Sequence, residues 1–280
     1  MSIKDVLALA ISLEHDMAAL KAAAALAHHY GARATALVVA IHPASHFAAE
    51  DAPLSEVLAD IAKGSQASAA KERARIAAWL EKAPARFEVR DMAVEQAVID
   101  REVIAHALYA DLVVLARASP PQENRARRAL LEHVVFGSGR PVLLVPGAWR
   151  RERTWERIVI GWNAKREAIR AVSDALPLLQ AARQVVVATI DAAPSATGHG
   201  EAPGWELAAY LARHGVPAEV RNIDGLGRSE SKALIDEAIA IDADLIVMGA
   251  YGHARVAEFI FGGVTRDLLN ASPVPLFLAH

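Results

Sequence analysis

Ala110-Asp111-Leu112-Val113-Val114-Leu115 and Ala243-Asp244-Leu245-Ile246-Val247-Met248 are one pattern written twice. Each is an acidic residue followed by a short apolar run rich in β-branched side chains. Such a run reads as a strand buried on both faces. Helical patterns precede both, over residues 95–108 and 230–241. Strand-like segments lie upstream of those, at Val89-Arg90-Asp91-Met92 and Val220-Arg221-Asn222-Ile223. Proline-led strands lie downstream, at Pro141-Val142-Leu143-Leu144-Val145 and Pro275-Leu276-Phe277-Leu278-Ala279. The same order recurs, so an internal duplication is the economical explanation.

The opening elements repeat as well. Strands at residues 6–10 and 158–160 each lead into a helix, about 15–30 in one half and 166–182 in the other. Second strands follow at 36–40 and 185–188. Each half reads β-α-β-α-β-α-β-α-β, which implies a parallel sheet covered by helices on both faces. Right-handed crossovers make each an open, doubly wound α/β sheet. Pro146-Gly147 closes the first half and a linker runs to about Arg153. The expected domains are therefore residues 1–147 and 154–280. The halves differ in their middles. Residues 54–82 read as one long helix, and residues 191–204 as a mobile surface loop holding Gly198-His199-Gly200 and Gly204.

Composition narrows the function classes. A chain of 280 residues suits two domains. The apolar content of 54% is raised by alanine, as in Ala22-Ala23-Ala24-Ala25, and fits packed helices. No apolar run approaches the roughly 18 residues of a membrane span. Met1-Ser2-Ile3-Lys4-Asp5 lacks the pattern of a secretory signal, so a cytoplasmic protein without membrane partners is expected. The absence of cysteine excludes disulfides, thiolate catalysis and cysteine-bound zinc. A net charge of −3 argues against a general nucleic-acid binder. Arg150-Arg151-Glu152-Arg153 is read as a solvated linker.

Chemistry concentrates near the end of the second half. Gly249-Ala250-Tyr251-Gly252 begins where a strand stops, and Gly262-Gly263-Val264-Thr265 opens the next helix after a short amphipathic segment at 254–261. Ligands of open α/β sheets sit beyond the carboxyl ends of the strands. Glycines there let a phosphate approach the main chain, and first-turn amides favour an anion. Glycines that merely make tight turns would leave the same trace. No G-x-x-x-x-G-K-[ST] is present, and no G-x-G-x-x-G follows a strand.

Gly249-x2-Gly252-x9-Gly262 followed by Gly263-Val264-Thr265 resembles the G-x2-G-x9-G-[S/T] signature of the universal stress protein family. The flanking Asp244-Leu245-Ile246-Val247-Met248 and the proline-led last strand are similar too. The resemblance covers the whole chain as two family domains, most strongly residues 158–280. It implies a tandem Rossmann-like, adenine nucleotide alpha hydrolase-like fold. It further implies an adenine nucleotide such as ATP, with Mg2+, whose phosphates meet Gly249, Gly252, Gly262, Gly263, Val264 and Thr265. Gly263 stands where the family has Ser or Thr, so either Thr265 compensates or phosphate affinity is weaker. The family's ribose-binding aspartate maps to Asn163, which is read either as that contact or as the cap of the following helix. Adenine reading by main-chain groups maps to Thr189, with Ile190 and Asp191 next. Last-strand pairing in the family implies an intramolecular pseudo-dimer through residues 142–145 and 276–279, with homodimerisation also open.

The first half lacks these features. Ala116 and Ser119, then Pro120-Pro121, replace the first glycines, and residues 127–130 replace the second pair. Arg125, Arg127 and Arg128 could still attract an anion, but a solvated helix face is the expected role. That half is expected to bind no nucleotide in the family manner.

Catalytic residues are not evident. His42 and His46, with Glu50 and Asp51, make at best a poor metal site because Pro43 intervenes. His28-His29 ends a helix, and His253 lies in the glycine motif, near a phosphate or simply exposed. Ser138 in Gly137-Ser138-Gly139 lacks the nucleophile-elbow spacing. Adjacent Asp236 and Glu237 face different directions. The leading expectation is a nucleotide-binding stress-response regulator. A weak ATP hydrolase or phosphotransferase and a ligand-free dimerisation module are the alternatives.

Overall fold

The computed structural model describes residues 2–43, 52–117, 125–150, 155–196, 198–250 and 263–280. The chain packs as two compact units, one of Ile3–Arg140 and one of Pro141–His280 with Met1–Ser2.

The first unit runs β1 (Asp5–Ala10), α1 (Leu13–Tyr30), β2 (Arg33–His42), α2 (Ala52–Leu80), β3 (Phe87–Glu95), α3 (Ile99–Ala107), β4 (Leu112–Arg117) and α4 (Arg125–Gly137). Its strands are parallel in the order β3-β2-β1-β4. Helix α1 lays its alanines on the sheet, with Ala19, Ala23 and Ala27 buried. Small side chains let helix and strands approach closely. The helix stops at Gly31, whose left-handed φ of 59° turns the chain while Ala32 N–H bonds Ala27 O at 2.8 Å. The expected long helix of the first half is α2, which is 29 residues long. Helix α3 is preceded by a 3-10 turn at Gln96–Val98, so the single helix read there is two pieces.

The second unit runs β5 (Val142–Pro146), β6 (Arg157–Gly161), α5 (Arg166–Ala181), β7 (Gln184–Ile190), α6 (Trp205–Arg213), β8 (Glu219–Ile223), α7 (Glu230–Ala240), β9 (Leu245–Gly249), α8 (Gly263–Ala271) and β10 (Leu276–Ala279). Its strand order is β5-β10-β9-β6-β7-β8. All neighbours are parallel except β5, which runs antiparallel to β10 in the register Leu276↔Leu144. The strands at 142–145 and 276–279 therefore do pair. The packing boundary falls before Pro141, whereas the sequence repeat ends at Gly147. The strand that closes the first repeat belongs to the second unit and pairs with its β10.

The two acidic residues that flagged the repeat perform the same task twice. The Asp111 carboxylate accepts the amides of Lys4 and Asp5 at 2.7 and 3.1 Å. The Asp244 carboxylate accepts the amides of Glu156 and Arg157 at 3.0 and 3.1 Å. Each pins the start of its strand to the neighbouring β1 or β6 and sets the register. Leu245, Ile246 and Val247 of β9 are wholly buried, and each such side chain contributes roughly 1.5–3 kcal/mol of apolar burial.

Candidate functional site

In the second unit the chain leaves β6 for β7 on one side, and β9 flanks β6 on the other. The connections therefore diverge between the carboxyl ends of β6 and β9, the switch point at which open sheets take ligands. Gly161 ends β6 and Gly249 ends β9 there, and Gly161 pairs with Met248.

Gly249 is closely packed on its Cβ side. A Cβ built on it would lie 2.5 Å from the Ala168 nitrogen, 2.6 Å from the Glu167 carbonyl carbon and 2.9 Å from Glu167 Cβ. Main-chain atoms of α5 fill the side of Gly249 on which a Cβ would stand. The glycine is needed so that the first turn of α5 can rest on the end of β9.

That first turn already carries an anion. Glu167 is buried, and its carboxylate accepts Arg166 Nε–H at 2.7 Å. Burial pushes the carboxyl up, but Arg166, a main-chain amide and His280 outweigh it and hold Glu167 below the usual carboxylate range. A charged Glu167 satisfies the positive end of α5 and repels a second anion. His280 bonds the Ala250 carbonyl at 3.1 Å beside it.

Helix α8 is different. It begins at Gly263, which is exposed and, among the described residues, has nothing within 4 Å of where a Cβ would stand. The first-turn amides of a helix, here from Gly263, Val264 and Thr265, lack partners within the helix. Thr265 is buried and Val264 is half-buried. Asp267 of α8 accepts the Ser231 hydroxyl at 3.2 Å, tying α8 to the first turn of α7. Gly252, Gly262, His253 and the segment 254–261 lie outside the described residues.

Asn163 is exposed in the β6–α5 connection. It is not the helix cap, because that position is Lys165. Instead Asn163 Oδ1 accepts Lys165 N–H at 3.3 Å, closing a turn through Ala164, which holds φ at 54°. Thr189 is fully buried, and its hydroxyl donates to Asn222 Oδ1 at 3.0 Å. Asn222 also bonds Ala192 in both directions, and Asp191 accepts Gly225 N–H at 2.8 Å. These bonds fix the end of β7, and sequence reasoning missed them. The side chain of Thr189 is therefore taken up within the protein. The loop at 191–204 carries a bridge between Ser195 and Gly200.

The carboxyl edge of the first unit holds protein side chains. Asp16 of α1 is 0% exposed and accepts the amides of Ile11 and Ser12 at 2.7 and 2.9 Å. Arg127 of α4, its side chain 10% exposed, grips both oxygens of Asp16, with Nη2 at 2.9 Å. Glu72 of α2 accepts the Leu13 amide at the start of α1 at 2.9 Å. Arg127 is therefore not on a solvated face; it is one half of a buried pair. Arg128 does lie outward, bonded to Glu132 four residues on. Arg125, Ser119 and Pro120-Pro121 are outside the described side chains. Ser138 donates to Val134 O at 2.6 Å and accepts Arg140 N–H, a helix-end turn rather than a nucleophile. No group of three metal-ligating side chains gathers among the described residues, and His46, Glu50 and Asp51 lie outside them.

Residues 154–280 match the model of the universal stress protein family. This half of the chain is similar to the universal stress protein family. A universal stress protein from Archaeoglobus fulgidus DSM 4304 superposes with a TM-score of 0.70 at 17% identity, covering 98% of this chain and 97% of that one. A putative universal stress protein from Pseudomonas aeruginosa UCBPP-PA14 gives 0.56 at 14% identity, over 99% and 93%. At these identities the likeness is one of fold, and it spans both halves. A solved universal stress protein in complex with cAMP matches 45% of this chain at 22% identity with a TM-score of 0.36, covering 98% of its own length. No curated protein matches the sequence. No helix among the described residues is long and apolar enough to cross a membrane.

Proposed function

We propose that the second unit of this chain binds an adenine nucleotide such as ATP, its phosphates on the first turn of α8, and that the chain acts as a nucleotide-responsive regulator of the universal stress type. The observation that carries this is the start of α8: an exposed glycine and first-turn amides following the strand that ends at the switch point of the sheet. Thr265 supplies a hydroxyl in the same turn. Asn163 offers its amide group to a ribose hydroxyl, and the main chain at Thr189 offers the base a flat edge. The charge on Glu167 directs an anion away from α5 and toward α8. Mg2+ would ride on the phosphates. The first unit takes no nucleotide under this reading, since Asp16, Arg127 and Glu72 occupy its carboxyl edge.

Gly263→Ser tests the reading. Among the described residues the added side chain meets no neighbour, so the fold is expected to tolerate it. Its hydroxyl would add a hydrogen bond to a charged phosphate, worth about 1.5 kcal/mol or roughly tenfold in affinity. Calorimetric titration with Mg-ATP should show one site per chain, with tighter binding in the serine variant. No saturable ATP binding by either protein would refute the assignment.

A further inference from the structure

The first unit has a concavity at the other edge of its sheet, where β1 and β2 begin and α3 ends. The cavity has a volume of about 350 Å³ and is lined by Asp5, Arg33, Thr35, Arg90, His106 and Tyr109 over an apolar floor from β1 and α3. That volume falls within the range of small-molecule sites. Open α/β sheets take ligands at the opposite, carboxyl edge, so the nucleotide proposed above leaves this cavity unexplained.

Its charges are arranged in two poles. Arg33 and Arg90 stand on neighbouring strands, and Glu88 accepts from both at 2.7 Å. The two arginines pull the Glu88 carboxyl down to about 2, so it stays charged and fixes both guanidinium groups. A guanidinium has five N–H donors, so each arginine keeps donors beyond the one given to Glu88. Asp5 is the register partner of Arg33 across the β1–β2 ladder, where strands lie about 4.8 Å apart. It supplies a negative pole beside the positive one. Burial and the nearby Arg90 hold His106 below its usual pKa, so it is neutral near pH 7. Two arginines against Glu88 and Asp5 leave the cavity with no net charge. A free phosphate would gain at one pole and lose at the other. A ligand carrying both charges gains at each. The apolar floor and the exposed ring of Tyr109 then suit an uncharged body.

We infer that this cavity binds a small zwitterion of the amino-acid type, its carboxylate on Arg33 and Arg90, its ammonium on Asp5 and an apolar or aromatic side chain against the floor. The test is an NMR titration of the 15N-labelled full chain with L-phenylalanine, with 3-phenylpropionate, which lacks the ammonium, and with 2-phenylethylamine, which lacks the carboxylate. Phenylalanine should give saturable shifts at the amides of Asp5, Arg33, His106 and Tyr109, unaltered by saturating Mg-ATP. Each truncated probe should bind at least roughly tenfold more weakly, because one charged hydrogen-bonded pole is lost. Arg90→Gln and Asp5→Asn should each weaken phenylalanine about tenfold while leaving the rest of the spectrum in place. The inference fails if no probe saturates up to about 10 mM, a binding energy too small for a built site. It also fails if 3-phenylpropionate binds as well as phenylalanine, or if neither variant changes the affinity. None of these results bears on ATP binding at α8, so the two readings fall separately.

Discussion

Replacing Gly249 by alanine separates two roles for this glycine. A Cβ at that position needs about 3.5 Å to main-chain atoms of α5 and finds 2.5 and 2.6 Å. The first turn of α5 must therefore retreat by about 1 Å, since backbone cannot swing aside as a side-chain tip can. Overpacking of this kind costs about 1–3 kcal/mol. For a unit of this size that lowers the melting temperature by roughly 3–10 °C. The loss should be present in nucleotide-free protein, because the clash is with the chain itself. Differential scanning calorimetry of the wild type and Gly249→Ala, both stripped of ligand, measures it. An unchanged apo transition, with nucleotide binding abolished, would refute the packing argument and return Gly249 to a phosphate-contact role.

Three further outcomes follow from particular residues. Arg127→Met leaves Asp16 buried without its cation and should destabilise the first unit by about 3–5 kcal/mol, whereas Asp16→Asn with Arg127→Met should recover much of that, as read by urea unfolding. Glu72 is held below the usual carboxylate range: burial pushes it up, but the Leu13 amide, Arg75 and Lys71 together outweigh burial. Its folded pKa is thus below the unfolded value of about 4.3, so its stabilisation is full above that pH and fades as pH falls through the folded value. Glu72→Gln should then be less stable than wild type at pH 7, and the difference should shrink as pH falls through the folded value; a difference that stays constant through acid pH would contradict the bond to α1. Gly252→Val should abolish nucleotide retention with the circular dichroism spectrum unchanged, and ATP binding at wild-type affinity would count against the glycine motif as the phosphate site.

The duplicated architecture was legible because a strand buried on both faces writes an apolar run that no surface element can imitate. The preceding Asp111 and Asp244 gave the repeat its mark. What they do could not be read, since their partners at residues 4–5 and 156–157 are far away in sequence. Arg127 was misread for the same reason. Among Arg125 and Arg128 it looks like a solvated face, and its partner is 111 residues distant. Gly249 shows a different limit. A missing side chain leaves the same letter whether a ligand or a helix backbone takes the space. The cap of α5 was hidden because Ala164 holds a left-handed conformation that alanine seldom adopts, which moves the cap two residues beyond Asn163, to Lys165. The arginine-lined cavity of the first unit had no trace in any local pattern, because β1, β2, β3 and α3 each contribute to it.

Native mass spectrometry of freshly purified chain bears most directly on the nucleotide assignment. The account predicts one added mass per chain equal to an adenine nucleotide, absent from Gly252→Val and unaffected by Arg127→Met. Bare protein that stays bare after incubation with Mg-ATP, or two nucleotides per chain, would contradict it.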